Sequence, residues 1–296
     1  MNVSKPADGG RFILHPSSFI LPGGRRLTIP RPPGVLGVIN VTPDSFSDGG
    51  VHLDHAKAVE AALQMERDGA IAIDIGGEST RPGSEPIAAQ LEIDRVVPVI
   101  EQIRKRSDIP ISIDTQKGAV AEEAVKAGAD IINDVSALRY SAGMPGIAAR
   151  LRVPVILMHM RGEPRTMQKN IHYDDVVSEV GSELTAFRDA AITAGVDASQ
   201  ILVDPGIGFG KTYDHNLEIL ARASELTSIG PLVLGASRKG FIGHLTGRDA
   251  GPDRAAGSLA AVAAAHRAGA TLVRVHDVSE TVDFLKVLIA IAEKER

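Results

Sequence analysis

The chain of 296 residues has no cysteine and no tryptophan, and aromatic residues make up only 3% of it. Without cysteine there can be no disulfide, no thiolate metal site and no cysteine nucleophile. So few aromatic rings supply no stacking platform for single-stranded nucleic acid. A formal net charge of −5 argues against the broad basic surface that non-specific nucleic-acid binding needs. No stretch approaches the ~20 apolar residues required to span a bilayer. Pro16, Pro22, Gly23 and Gly24 break up the N-terminal region where the apolar core of a secretory signal would lie. Strong metal-ligand spacing is also lacking, since His52 and His55 stand three apart with no second cluster. The expectation is a cytoplasmic protein that binds neither nucleic acid nor membrane. If it handles an anion, its positive charge must be concentrated locally.

What is present is a regular alternation. Residues 1–33 stand outside it: they carry six prolines and no sustained periodicity. They are expected to be a poorly ordered N-terminal extension with one short hairpin around Leu21-Pro22-Gly23-Gly24-Arg25. From residue 34 to 296, eight apolar runs recur, at 35–40, 71–75, 111–114, 131–134, 155–159, 201–204, 232–236 and 271–275. Runs of this length read as buried strands. The intervening segments suit helices at 54–68, 89–106, 118–127, 174–194, 215–228, 254–268 and 279–294, with a weaker one at 143–151. Asp54 and Asp253 sit where N-caps belong, and Asp277 with Glu280 has capping-box spacing. Gly69, Gly128, Gly195 and Gly269 fall just past helix ends. Eight strands alternating with eight helical segments predict a single (β/α)8 TIM barrel domain of the α/β class. A doubly wound open sheet is the runner-up, but it gives no reason for the count to stop at eight.

In such a barrel the C-terminal strand ends converge on one mouth, where the chemistry is done. Here those ends carry Asn40, Asp74, Asp114, Asn133 with Asp134, His159, Asp204, Ser237-Arg238-Lys239, and Arg274 with His276. One Asp at a strand end is an ordinary turn residue, whereas a polar or charged group at all eight ends points to a site. His159 reads equally as a hydrogen-bonded packing residue and as a ligand. The Gly76–Ser84 loop, with Thr80 and Arg81, suits an anion. Arg238, Lys239, Arg274 and His276 gather cations on adjacent last strands, where barrels often hold phosphate, although Arg238 and Arg274 could instead pair structurally with nearby Asp side chains.

Five segments, Val38–Gly49, Gly76–Gly83, Asp204–Phe209, Ser237–Lys239 and Arg274–Asp277, resemble the dihydropteroate synthases in order and spacing from about Gly34 onward. The resemblance implies a folate-pathway transferase that joins 4-aminobenzoate to (7,8-dihydropterin-6-yl)methyl diphosphate, giving 7,8-dihydropteroate and diphosphate. It further implies that Asp114, Asn133, Asp204 and Lys239 hydrogen-bond the pterin, beside Met158. Asn40, Arg274 and His276 would handle the diphosphate, Asn40 near a Mg²⁺ ion. Phe46, Thr80, Arg81, Pro82, Phe209 and Lys239 would form the aminobenzoate site. Asp48 and Arg81 would join Lys239, Arg274 and His276 in catalysis, with His276 acting as an imidazolium. C–O cleavage running ahead of amine attack would explain the lack of an obvious general base. A homodimer through late helices is also implied.

One position departs from the family. Many members carry Ser after Ser-Arg-Lys, where this chain has Gly240, so aminobenzoate contacts and sulfonamide response are open there. A backbone N–H at the start of the following helix is the expected substitute. Two rival readings are a non-catalytic pterin-binding paralogue and a methyltetrahydrofolate:corrinoid methyltransferase. The second has no need of the Ser79–Gly83 loop or of the Arg274/His276 pair.

Overall fold

A computed structural model describes residues 17–29, 33–42, 51–80 and 83–294. The eight apolar runs are realised as eight parallel strands: β3 (Gly34–Asn40), β4 (Ala72–Gly76), β5 (Ile111–Asp114), β6 (Ile131–Asp134), β7 (Val155–Met158), β8 (Ile201–Asp204), β9 (Val233–Leu234) and β10 (Leu272–Val275). They run side by side in the order β8-β7-β6-β5-β4-β3-β10-β9. A bridge between Val203 and Leu232 joins the two ends and closes the barrel. Nine helices are found among the described residues: α1 (Val51–Arg67), α2 (Ala89–Arg104), α3 (Gly118–Ala127), α4 (Met144–Leu151), α5 (Val176–Thr193), α6 (Tyr213–Arg222), α7 (Gly240–Thr246), α8 (Ala255–Ala268) and α9 (Val278–Ala292).

Successive side chains along each strand point to opposite faces, and this divides the core in two. Ile39, Ile73, Ile75, Ile111, Ile113 and their counterparts pack outward against the helices. Leu36, Ala72, Ile131, Ile156, Leu202, Val233 and Leu272 point inward and fill the barrel floor. The expected hairpin at Leu21–Arg25 is there, formed by antiparallel β1 (Ser17–Ile20) and β2 (Arg26–Ile29). It does more than turn: Phe19, Leu21, Leu27 and Ile29 join the inward floor cluster and stop the barrel's lower end. Gln200 brackets the backbone of Ile20, accepting its N–H at 3.2 Å and donating to its carbonyl at 2.5 Å. Arg25 and Arg104 both pair with buried Asp130 below the floor. Leu27→Ala is therefore expected to cost roughly 2–4 kcal/mol, as for other buried Leu truncations. Urea unfolding would measure it, and turnover of the folded fraction should be unchanged because the plug lies at the end opposite the mouth.

Local differences from the sequence reading have physical causes. The weak fourth segment is helical after all: Met144-Pro145 starts α4, where a proline costs nothing, and Met144 and Ala148 are buried. A short helix, α7, appears between β9 and α8. Asp54 lies inside α1 rather than capping it, and Asp253 sits in a 3-10 turn (Gly251–Arg254) ahead of α8. Asp277 does occupy the N-cap of α9, but its carboxylate caps nothing, being drawn instead to Arg238. The four glycines expected at helix ends all take left-handed φ values.

Candidate active site

Strand register assembles the mouth. Asn40 lies beside Gly76, Gly76 beside Asp114, and Asp114 beside Asn133, on four consecutive strands at one level. Met158 and Asp204 are paired in the same way across β7 and β8. Alternation then turns Asp114, Asn133, Met158 and Asp204 into the barrel. Asp134, one residue past Asn133, faces the other way. It accepts the N–H groups of Ser136 and Leu138 and the Ser136 hydroxyl, so it shapes a turn.

Arg274 organises this layer. Its Nε donates to Asp74 Oδ2 at 2.6 Å and its Nη2 to Asp114 Oδ2 at 2.7 Å. Asn133 Nδ2 donates to the same Asp74 oxygen at 3.1 Å. Burial opposes the guanidinium's charge, but the two carboxylates outweigh it and hold its pKa above the ordinary arginine value. Burial pushes Asp114 up from the usual carboxylate range, with Arg274 opposing and Asp74 reinforcing that shift. Asp204 is also raised by burial, against the pull of the Gly206 N–H it accepts at 2.7 Å and of the nearby Lys239 charge. Asp74 was visible as a strand-end residue but was given no role. It is fully buried, and its second oxygen has no hydrogen-bond partner among the described residues.

On the opposite wall, Lys239 Nζ stands 4.2 Å from the centre of the Phe209 ring. Burial, then the charge of Arg274, lowers the Lys239 ammonium to about 8. His276 Nδ1 meets the Ser237 hydroxyl at 3.1 Å. Burial and the charges of Arg274 and Arg238 push its pKa down to about 4. The imidazole therefore favours its neutral form in the substrate-free protein, whereas the expected imidazolium belongs to the state with a departing diphosphate. Arg238 is committed elsewhere: it forks onto Asp277 of the α9 cap.

The Gly76–Ser84 loop is fastened from outside the barrel. Glu78 Oε1 accepts the Ile87 N–H at 2.8 Å and the Lys117 ammonium at 2.7 Å, while the same ammonium reaches buried Glu92 at 2.6 Å. Thr80 follows two residues later, half-buried. Nothing in one sequence could pair Glu78, Glu92 and Lys117, which come from a loop, a helix and a helix start in two successive βα units. Phe46, Asp48, Arg81 and Pro82 lie outside the described residues. His159 is resolved in favour of packing: its side chain is fully buried on the outward face of the barrel, against Glu183 of α5.

Comparison with known proteins converges on one family. The family model for pterin-binding enzymes matches residues 36–276. The dihydropteroate synthase of Escherichia coli K12 is 45% identical over 260 residues, which span 87% of this chain and 91% of that one. A structure of Xanthomonas albilineans dihydropteroate synthase with 4-aminobenzoic acid superposes with a TM-score of 0.88 at 47% identity, covering 94% of this chain and 98% of the other. The same enzyme in complex with 7,8-dihydropteroate gives 0.81 at 43% identity, covering 91% and 96%. No described helix is long and apolar enough to cross a membrane. With eight closed strands whose ends carry the family's motifs in order, the chain belongs to the pterin-binding enzymes and, among them, to the dihydropteroate synthase family.

Proposed function

We propose that the mouth reads a dihydropterin with Asp114, Asn133, Asp204 and Lys239, and joins it to 4-aminobenzoate with release of diphosphate. The observation that carries this is the buried layer of Asp114, Asn133 and Asp204 set against Lys239 and Arg274. A flat heterocycle edged with ring nitrogens and an amino group needs fixed donors and acceptors, and Met158 supplies apolar cover beside them. Asn40, Arg274 and His276 take the diphosphate. His276 presents a neutral N–H donor until the bound anion raises its proton affinity. The aminobenzoate site consists of Phe209, Lys239 and Thr80 with Phe46, Arg81 and Pro82, while Asp48 and Arg81 serve turnover rather than pterin binding.

In the reaction the methylene C–O bond breaks with its electron pair going to the diphosphate. The aromatic amine then forms the new C–N bond and loses a proton. Fixed cations at the mouth lower the barrier by neutralising charge as it develops on the leaving group. Among the described residues no three His, Asp or Glu side chains are grouped to cage a metal. The neutral Asn40 oxygen suits a Mg²⁺ ion that keeps most of its ligands from water and substrate phosphate. When bound, such an ion supplies further charge neutralisation to the departing diphosphate. The test is dihydropteroate formation from both substrates with Mg²⁺. Product that disappears on chelation supports the reading, and pterin binding without product overturns it.

Gly240 begins α7, and a Cβ there would meet the Tyr213 ring at 3.4–3.8 Å, ordinary contact. Gly240→Ser should therefore fold normally, and one added hydroxyl contact should lower the aminobenzoate KM about threefold. An unchanged KM in steady-state assays would show that position 240 does not touch this substrate. A homodimer and a cytoplasmic location complete the reading. Val287 and Ile291 are exposed one turn apart on α9 and offer an apolar contact for a second copy. Light scattering at micromolar concentration checks the mass.

A further inference from the structure

Behind the Phe209 turn lies a chain of buried polar groups for which the reaction above has no use. Lys211 is 2% exposed and His159 is fully buried. Lys211 Nζ meets His159 Nδ1 at 2.9 Å and donates to the Phe209 carbonyl at 2.9 Å. His159 Nε2 lies 3.1 Å from Glu183 Oε2, and Arg161 holds that carboxylate from its other side. As an ammonium Lys211 can only donate, so opposite it His159 offers Nδ1 as acceptor and carries its proton on Nε2, facing Glu183. Burial lowers the imidazole to about 4, which keeps it neutral and fit for this linking part. A buried amine is costly unless every donor is matched, so its retention here asks for a purpose.

The turn it supports has little freedom. Gly206 has φ +68°, and a Cβ there would lie 2.0 Å from the His159 carbonyl oxygen; at Gly210, φ +63°, it would lie 2.7 Å from that of Arg161. The turn is thus pressed against the 159–161 backbone. Asn216 holds the Gly208 N–H at 2.7 Å, and Tyr173 donates to the Gly210 carbonyl at 3.1 Å. The peptide between them, that of Phe209, is fixed through its carbonyl by Lys211. Its ring is the one beneath Lys239 Nζ.

We infer that Lys211 and His159, anchored on Glu183, form a buried strut that positions the Phe209 ring for the aromatic second substrate. The inference rests on the reading of Phe209 as part of the aminobenzoate site. Lys211 and His159 are positioning residues and touch no reacting atom. Their loss should weaken aminobenzoate use while sparing the pterin side, which a general loss of packing would not do.

The test is a double-mutant cycle in the full-length protein with Mg²⁺, using Lys211→Met, Phe209→Ala and the pair. Each single change should raise the aminobenzoate KM about tenfold, with kcat and the pterin-diphosphate KM within about twofold of the parent. The double variant should match Phe209→Ala alone, because two residues acting through one ring are not additive. Glu183→Gln, at the half-exposed end of the strut, should move the same KM in the same direction by a smaller factor, and serves if Lys211→Met does not fold. Additive effects, or an unchanged KM in both Lys211→Met and Glu183→Gln beside a raised one in Phe209→Ala, would overturn the strut alone. An unchanged KM in Phe209→Ala would overturn the reading of Phe209 and the strut with it.

Discussion

Replacing Arg274 with alanine is expected to lower kcat/KM for the pterin diphosphate by about 10³-fold or more, through lost stabilisation of the departing anion. It should also destabilise the protein. The guanidinium bridges Asp74 and Asp114, and its removal leaves two buried carboxylates facing each other without a cation. Breaking a buried pair in this way costs about 3–5 kcal/mol. The sign of its pH dependence follows. Asp114 already has a raised folded-state pKa, and loss of Arg274 raises it further. Such a group favours folding at low pH and loses that contribution as pH rises through its folded value. The variant should therefore regain stability on going from pH 8 to pH 5 by more than the parent does. Arg274→Lys keeps a charge but cannot bridge two carboxylates with one planar fork, and should fall between the two. Denaturant melts at both pH values and steady-state rates check the set. A folded Arg274→Ala protein within about tenfold of parental activity would remove Arg274 from the site.

How much of this was legible before the structure follows from what local chemistry can encode. All eight strands were visible because buried parallel strands are nearly continuous apolar runs that end in polar groups, as in Ile111–Asp114 and Ile201–Asp204. The Asn40–Gly76–Asp114–Asn133 layer was half visible. Asn40, Asp114 and Asn133 announced themselves at strand ends and Gly76 only as the start of a loop, but only register shows that they stand side by side. Alternation also separates neighbours that look alike in sequence, sending Asn133 into the barrel and Asp134 out of it.

Side chains that answer to distant partners could not be read. Asp277 has the right type and place for a helix cap, yet an arginine 39 residues earlier claims it. His159 has no sequence neighbour to explain it, and its partner Lys211 lies 52 residues away. The lowered proton affinity of His276 could not be read either, because it comes from burial and from Arg238 and Lys239 on the neighbouring strand end as well as from Arg274. The hairpin was legible as a turn. Its task as a floor plug was not, because that depends on which way seven barrel strands point their small and branched side chains.

Lys239→Met separates function from stability most sharply. Lys239 stands against Phe209 with Arg274 and Asp204 nearby, and its ammonium is lowered from 10.5 to about 8. A lysine whose folded pKa is depressed contributes stability above its unfolded pKa, and that contribution is lost as pH falls through about 8. At pH 7 the charged side chain is therefore a strain on the fold, retained for the substrate. Part of it opens to the mouth, and Asp204 loses a nearby cation when it is removed, so the net change is limited. Lys239→Met should be as stable as the parent at pH 7, or more stable by up to about 2 kcal/mol. Activity should fall by about 10³-fold, because the variant loses a cation shared by the pterin and aminobenzoate sites. In the parent, kcat/KM should decline as pH rises past about 8 and the ammonium deprotonates. Lys239→Arg should remove that limb, since arginine stays charged. Urea unfolding and a pH–rate profile decide it. A variant that loses stability in step with activity would make Lys239 a structural residue, and a flat alkaline limb in the parent would mean that its charge is not needed for turnover.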